Sequence, residues 1–258
     1  MITAASNSRI KRLVQLNQKP KLRRTEDVFL AEGVKMFLEA PREQLQEVYV
    51  SESFLEKCSC REHMEEVGYE VVSDSVFSKI SDTCTPQGVL CVLKQFHYNI
   101  EEMLRDKAPL FLLLENIQDP GNLGTMLRTG EGAGVSGIIM SRDTVDLYNP
   151  KVIRSTMGSI YRVPFYYADD FAAAVHQVQQ AGVSVYAAHL RGKNSYACQD
   201  YTKGTAFLIG NEGNGLREET AELADCYIRI PMEGKVESLN AAVASSILMY
   251  EAHRQRAI

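Results

Sequence analysis

The sequence predicts an α/β protein whose C-terminal part is built on a parallel sheet, and three observations predict it. From Leu110 onward, strand-like apolar runs alternate with helical stretches, the order expected of strands joined by crossover helices. The run Leu110-Phe111-Leu112-Leu113-Leu114 is continuously apolar, as a strand covered on both faces requires. Residues 97–108 are polar and charged and end before Pro109, which reads as a linker between a small N-terminal α/β unit, 1–96, and a larger one, 109–258.

Taken in order, residues 7–18 form an amphipathic helix with Ile10, Leu13, Val14 and Leu16 on its apolar side. Strands are expected at 28–31, 47–50, 69–72 and 88–93, and helices at 34–40, 52–57 and 61–67. Beyond the linker come strand 110–114, helix 121–133, strand 137–140 and helices 150–157 and 170–180. Strands 183–188, 205–210 and 226–230 and a last helix over 238–255 complete the chain. No internal repeat or low-complexity tract interrupts it.

At 258 residues, 45% hydrophobic and 24% charged, the chain has an ordinary globular composition. No apolar run approaches the ~20 residues that span a bilayer. The basic N-terminus is followed by no apolar stretch, so no secretion signal is expected and the cytoplasm is the expected compartment. The six cysteines (Cys58, Cys60, Cys84, Cys91, Cys198 and Cys226) include no CxxC pair and are expected to be reduced. Cys58-Ser59-Cys60 with His63 resembles half a metal site, but no second half-site has ligand spacing, so no metal is expected.

Net charge is −5, yet the charge is uneven. Residues 1–24 carry seven basic side chains (Arg9, Lys11, Arg12, Lys19, Lys21, Arg23 and Arg24) and no acidic one. A local polyanion contact would account for this, and so would a solvated basic face.

Three clusters are candidates for chemistry. The first runs from Asn116 to Thr129, directly after the buried strand. Asp119 suits a helix N-cap and Pro120 the first helical turn. At helical spacing Gly121, Gly124 and Arg128 share a face, leaving a groove beside a fixed cation that would suit a phosphate or ribose. The second, Gly210-Asn211-Glu212-Gly213-Asn214-Gly215-Leu216, packs three glycines into six positions at a strand end, more than a simple turn needs. Its spacing is neither GxGxxG nor GxxxxGK[ST]. Glu212 there would accept hydrogen bonds from a ligand or orient a cation. The third, from Ile230 to Asn240, leads into an Ala- and Ser-rich helix. Ser238 is its expected N-cap, with Leu239, Ala242, Val243, Ser246 and Tyr250 as its packing stripe. Alone, this cluster is an ordinary capped helix.

Together, in this order and spacing, the clusters resemble the SpoU (TrmH) family of RNA ribose methyltransferases, within the SPOUT superfamily. The matching residues are N-x-x-DPGNLG-x-x-x-RT at 116–129, GNEG-x-GL at 210–216 and IPM-x-G-x-x-ESLN at 230–240. A fourth stretch, from Asn149 through Arg154 to Gly158, also looks like the family. Residues 24–93 resemble the small substrate-binding domain that precedes the catalytic one in many members. The departures are Gly130, where alanine is usual, and Ala241, where valine is common.

The resemblance implies a parallel-sheet SPOUT domain tied into a trefoil knot, a rare exception to unthreaded topology. It also implies a homodimer and the cofactor S-adenosylmethionine. Carried residue by residue, Asn116, Arg128, Glu212, Ser238 and Asn240 fall on catalytic positions, and backbone at Leu190, Gly210, Ile230, Met232 and Leu239 on cofactor-holding ones. The implied reaction is methyl transfer to a ribose 2′-hydroxyl, with ribosomal RNA, 23S in particular, as the expected substrate. The same chemistry on tRNA and a non-catalytic RNA-binding relative are the alternatives. A dehydrogenase reading lacks GxGxxG and an acidic residue about twenty positions on. RNA outside the target nucleotide is expected to meet Arg9, Lys11, Arg12, Arg23, Arg24 and Arg154. A guanidinium resists deprotonation, so Arg128 is expected to bind phosphate and steady oxyanion charge rather than accept a proton.

Overall fold

The computed structural model describes residues 1–58 and 60–257; Ser59, the middle of the Cys58–Cys60 half-site, lies outside the described residues. The chain divides into two compact units. One comprises Met1–Phe96 and Asp146–Tyr161, the other residues 97–145 and those from Arg162 onward.

The first unit holds a four-stranded sheet of β1 (Val28–Glu32), β2 (Leu45–Ser51), β3 (Glu70–Val72) and β4 (Val89–Lys94), in the order β1-β4-β2-β3. β4 runs antiparallel to both its neighbours, while β2 and β3 are parallel. The helix Ser8–Gln18, capped by the Asn7 side chain, buries Ile10, Leu13 and Leu16 in a core with Leu30, Tyr49, Phe77 and Val92. Each such side chain contributes roughly 1.5–3 kcal/mol on burial, so this segment is integral to the unit. Arg23, expected to face RNA, is instead 1% exposed. Its guanidinium donates to the Leu16 and Asn17 carbonyls and pairs with Asp146 at 2.5 Å. It sits on the inward side of the helix Pro20–Glu26, an element that the basic composition of this stretch conceals in the sequence.

Residues 146–161 group with this unit, not with the C-terminal one as expected. Two tyrosines explain the placement. The Tyr148 hydroxyl accepts from the Phe96 amide and donates to its carbonyl, and Tyr161 donates to the Met36 carbonyl. Residues 97–108 also differ from a free linker. They contain the helix Ile100–Met103, whose two terminal residues are buried in the second unit's core.

The second unit is built on seven strands: β5 (Leu110–Leu114), β6 (Gly137–Ser141), β7 (Phe165–Ala168), β8 (Ser184–Ala188), β9 (Asn194–Ser195), β10 (Thr205–Ile209) and β11 (Cys226–Arg229). They form one sheet in the order β7-β6-β5-β10-β8-β11-β9, parallel throughout. All of Leu110–Leu114 is fully buried, as the apolar run predicts. β7, a short edge strand with two half-buried tyrosines, lacks the alternation that would mark it in sequence.

The last helix, Ala241–Arg256, begins three residues later than expected. Its N-cap is Asn240, whose Oδ1 accepts from the Ala242 and Val243 amides, and not Ser238. Its packing stripe is Ala241, Ala242, Ser245, Leu248, Met249 and Ala252, which leaves Val243 and Tyr250, both expected in the stripe, about half exposed. Its small residues lie against the helix Pro120–Ala133, where a side chain on Gly132 would press on the Tyr250 hydroxyl.

Candidate active site

β5 and β10 are neighbours at the centre of the sheet, so the loops leaving their carboxyl ends meet, the position where open α/β sheets bind ligands. Asn116, just after β5, adopts a left-handed conformation with φ 53°. Three of its polar groups are engaged. Its amide donates to Ser141 Oγ at 2.8 Å, its carbonyl accepts from Asn211 Nδ2, and its Oδ1 accepts from Gln118 Nε2.

Asp119 then caps the helix Pro120–Ala133 by accepting from the Asn122 amide, with Pro120 in the first turn, as expected. Leu123, Met126 and Leu127 point into the core. Arg128 is exposed, and its guanidinium has no hydrogen bond or ion pair among the described residues. Gly124, placed with it on one face by spacing alone, is buried.

Glu212 links the loops. Its carboxylate accepts from the Gln118 and Asp119 amides at 3.1 and 3.0 Å and from Asn122 Nδ2 at 3.0 Å. Partial burial works to raise this carboxyl, but the three donors outweigh it and hold the group below its ordinary value. Asn240 extends the chain of contacts by donating from Nδ2 to Asn122 Oδ1 at 2.9 Å. Glu212 therefore spends both oxygens on the protein's own loops.

Beside this lies a cleft of about 560 Å3, bounded by the chain following β8, β10 and β11. Leu190, Gly210, Ile230, Met232 and Leu239 all line it, as do Glu212 and Ser238. Its size falls within the roughly 300–1,000 Å3 of small-molecule sites. Gly210 is required there. A methyl group on it would collide with the Gly215 carbonyl carbon and the Leu216 amide nitrogen, where Asn211 and Gly215 pair across a tight turn. His189 on the same wall is held below its ordinary value by burial and by Arg191. Arg191 pairs with Glu218 at the cleft's edge.

The sequence-predicted RNA contacts are unequal. Lys11 and Arg24 are exposed and without partners among the described residues. Arg9 pairs with Glu70 at 3.5 Å, and Arg154 with Asp82 at 3.1 Å. Arg12 is shared by Glu26 and Glu47, both at 2.7 Å. Sequence reasoning missed three residues near the site: Glu115, Asp143 and Arg217. Glu115 is 2% exposed and accepts from the Arg217 amide, Arg217 Nε and Thr220 Oγ1. A buried acid directly after an apolar strand was the one available clue.

Residues 109–250 match the model of the SpoU rRNA Methylase family, and residues 7–91 that of the MRM3-like substrate binding domain. The 23S rRNA (guanosine(2553)-2'-O)-methyltransferase RlmP of Bacillus subtilis (strain 168) is 32% identical, over 96% of this chain and 97% of its own. The 23S rRNA (guanosine-2'-O-)-methyltransferase RlmB of Ralstonia nicotianae is 33% identical, over 69% of this chain and 74% of its own. An AdoMet-bound rRNA methyltransferase from Sinorhizobium meliloti superposes with a TM-score of 0.85 at 32% identity, covering 98% of this chain and 97% of that one.

Proposed function

The chain belongs to the SpoU rRNA methylase family, and from that premise we propose that its two units divide one reaction between them, the first gripping 23S ribosomal RNA and the second methylating it. The protein is an S-adenosylmethionine-dependent RNA ribose 2′-O-methyltransferase. The observation that carries the site assignment is the convergence of the Glu212 loop, the Asn116–Asn122 segment and the cleft at the carboxyl ends of the central strands.

The cleft fits the cofactor. Leu190, Ile230, Met232 and Leu239 offer apolar walls to an adenine, and side-chain-free Gly210 lets backbone approach it. The neighbouring carboxylates Glu218 and Glu237 suit an ammonium or ribose hydroxyls. When bound, S-adenosylmethionine supplies an electrophilic methyl on a sulfonium.

Arg128, without a side-chain partner among the described residues, holds a phosphate next to the target ribose and steadies negative charge on the 2′-oxygen. Asn116 and Glu212 fix the two loops against each other. Asn240 holds the start of the last helix against Asn122, and Ser238 shapes the cleft wall. Each of these residues serves alignment, which for a displacement reaction is a large part of the barrier.

Lys11 and Arg24 are the strongest candidates for the RNA face of the first unit, joined by Arg9 and Arg154 if RNA phosphates displace their carboxylate partners. Val243 and Tyr250, exposed on one face of the last helix two turns apart, support a homodimer; sedimentation at a single chain's mass would rule it out. The close passage at Gly210 is compatible with the implied knot. A ribosomal substrate supports a cytoplasmic location; separately, no described helix is long and apolar enough to cross a membrane.

The test is tritiated methyl transfer from S-adenosylmethionine to 23S transcripts and to total tRNA, with ribose methylation mapped on the product. Label at one 23S ribose 2′-oxygen is expected. Label confined to tRNA would move the substrate assignment and leave the chemistry standing.

A further inference from the structure

The geometry points to Arg217, acting with Glu115 and Asp143, as a positioning residue that sets Asn116 and the Glu212 loop relative to one another; this rests on the ribose-methylation reading of the site. Arg217 lies just past the glycine loop and reaches two carboxylates. Its Nε donates to Glu115 Oε1 at 2.8 Å and its backbone amide to Glu115 Oε2 at 2.9 Å. A terminal guanidinium nitrogen reaches Asp143 Oδ2 at 3.2 Å. Glu115 is covalently next to Asn116, and its own amide donates to the Ile209 carbonyl at the end of β10.

Asp143 closes the ring on the other side. Its second oxygen accepts from Ser141 Oγ, which in turn accepts from the Asn116 amide at 2.8 Å. The Asp143 carbonyl accepts from Gln118 Nε2, the same amide group that donates to Asn116 Oδ1. Ile117 adds two bonds to the same loop, its amide to Thr144 Oγ1 and its carbonyl from the Val145 amide. The left-handed turn at Asn116 is thus gripped by one loop that Arg217 ties to the segment carrying Glu212.

A forked cation suits this work. One guanidinium bonds two carboxylates on different elements at once, which an ammonium on a flexible stem does less rigidly. Glu115 is nine-tenths buried and more, and a buried carboxylate left without its cation is costly, so the pair is held in one arrangement. Arg217 does not line the cleft. Its effect reaches the chemistry through Asn116 and Glu212.

The experiment compares Arg217→Ala, Arg217→Lys and Asp143→Asn with the unaltered chain, using a 23S transcript and tritiated S-adenosylmethionine. Turnover, KM for RNA, thermal melting and amide exchange at Asn116 are measured together. Arg217→Ala and Asp143→Asn should lower kcat on the order of tenfold, leave the RNA KM within about twofold, and quicken exchange at Asn116. Arg217→Lys should recover part of the loss. Asp143→Asn keeps Arg217 and Glu115 paired, so it decides the matter if Arg217→Ala fails to fold. Unchanged kcat and unchanged Asn116 exchange in folded Asp143→Asn would overturn the proposal. So would a raised RNA KM at constant kcat in Arg217→Ala, which would make Arg217 an RNA contact. Absence of transfer by the unaltered chain would count against the substrate reading instead, and the exchange measurement would still judge the positioning role.

Discussion

Arg128 and Glu212 show how one type of interaction serves opposite ends. Arg128 has no internal partner among the described residues, so its charge is available to a ligand. Glu212 is saturated by three donors from the facing loop, so its charge is spent on architecture. Replacing Arg128 with Ala should lower kcat by roughly 10²–10³-fold, the scale of losing a transition-state donor. Lys in its place should restore only a fraction if the fork matters, and full restoration would show that a point charge suffices. For Glu212 the sign is fixed by the direction of its shift. A carboxyl held below its ordinary value contributes stability above that ordinary value and loses it as pH falls through the depressed one. Folding stability, followed by thermal melting, should therefore keep this contribution from about pH 5 to 8 and lose it only in acid below about pH 4.5. Glu212→Gln should lower the melting temperature at neutral pH and remove that acid limb.

The glycine loop and the last helix carry the site at the scale of elements. Three glycines in six positions pointed to close backbone approach, and at Gly210 that approach is to the chain's own Gly215 and Leu216. Gly210→Ala should cost at least the upper part of the about 1–3 kcal/mol typical of overpacking and abolish cofactor binding, read by melting and calorimetry together. An alanine variant that still binds S-adenosylmethionine normally would sink the claim. The last helix was visible from its Ala- and Ser-rich run, but not its start. Ser238 and Asn240 are both good caps by residue type, and the choice fell to Asn240 because it also bonds Asn122, 118 residues away. The buried stripe runs through Ala241, Ala242, Ser245, Leu248, Met249 and Ala252, which leaves Val243 and Tyr250 at the surface.

For the whole molecule, the uneven charge of the first 24 residues needs a different reading from the one composition suggests. Deleting them would remove Ile10, Leu13 and Leu16 from a core, so truncation would report folding as much as RNA binding. The sharper variant is Lys11→Glu with Arg24→Glu, both exposed. It should weaken RNA binding and reduce the salt slope by about one for each phosphate that no longer meets a cation, while leaving affinity for S-adenosylmethionine unchanged. Unaltered RNA affinity would remove this face from the substrate path.

What the sequence by itself determined was the local and the periodic: the buried strand at Leu110–Leu114, the Asp119 cap, the glycine loop, and through three spaced motifs the family and its chemistry. These are read from neighbours a few residues apart, where φ preference, helical period and burial leave a direct mark. What only the tertiary structure decided was which distant groups pair: Arg23 inward on Asp146, Tyr148 and Tyr161 drawing residues 146–161 to the first unit, Asn240 as the cap, and Glu115 with Arg217 beneath the site. A charged or hydroxylated side chain has the same local preferences whether it faces water or a partner a hundred residues away. Only the folded chain brings that partner within hydrogen-bonding distance and makes burial of the pair tolerable.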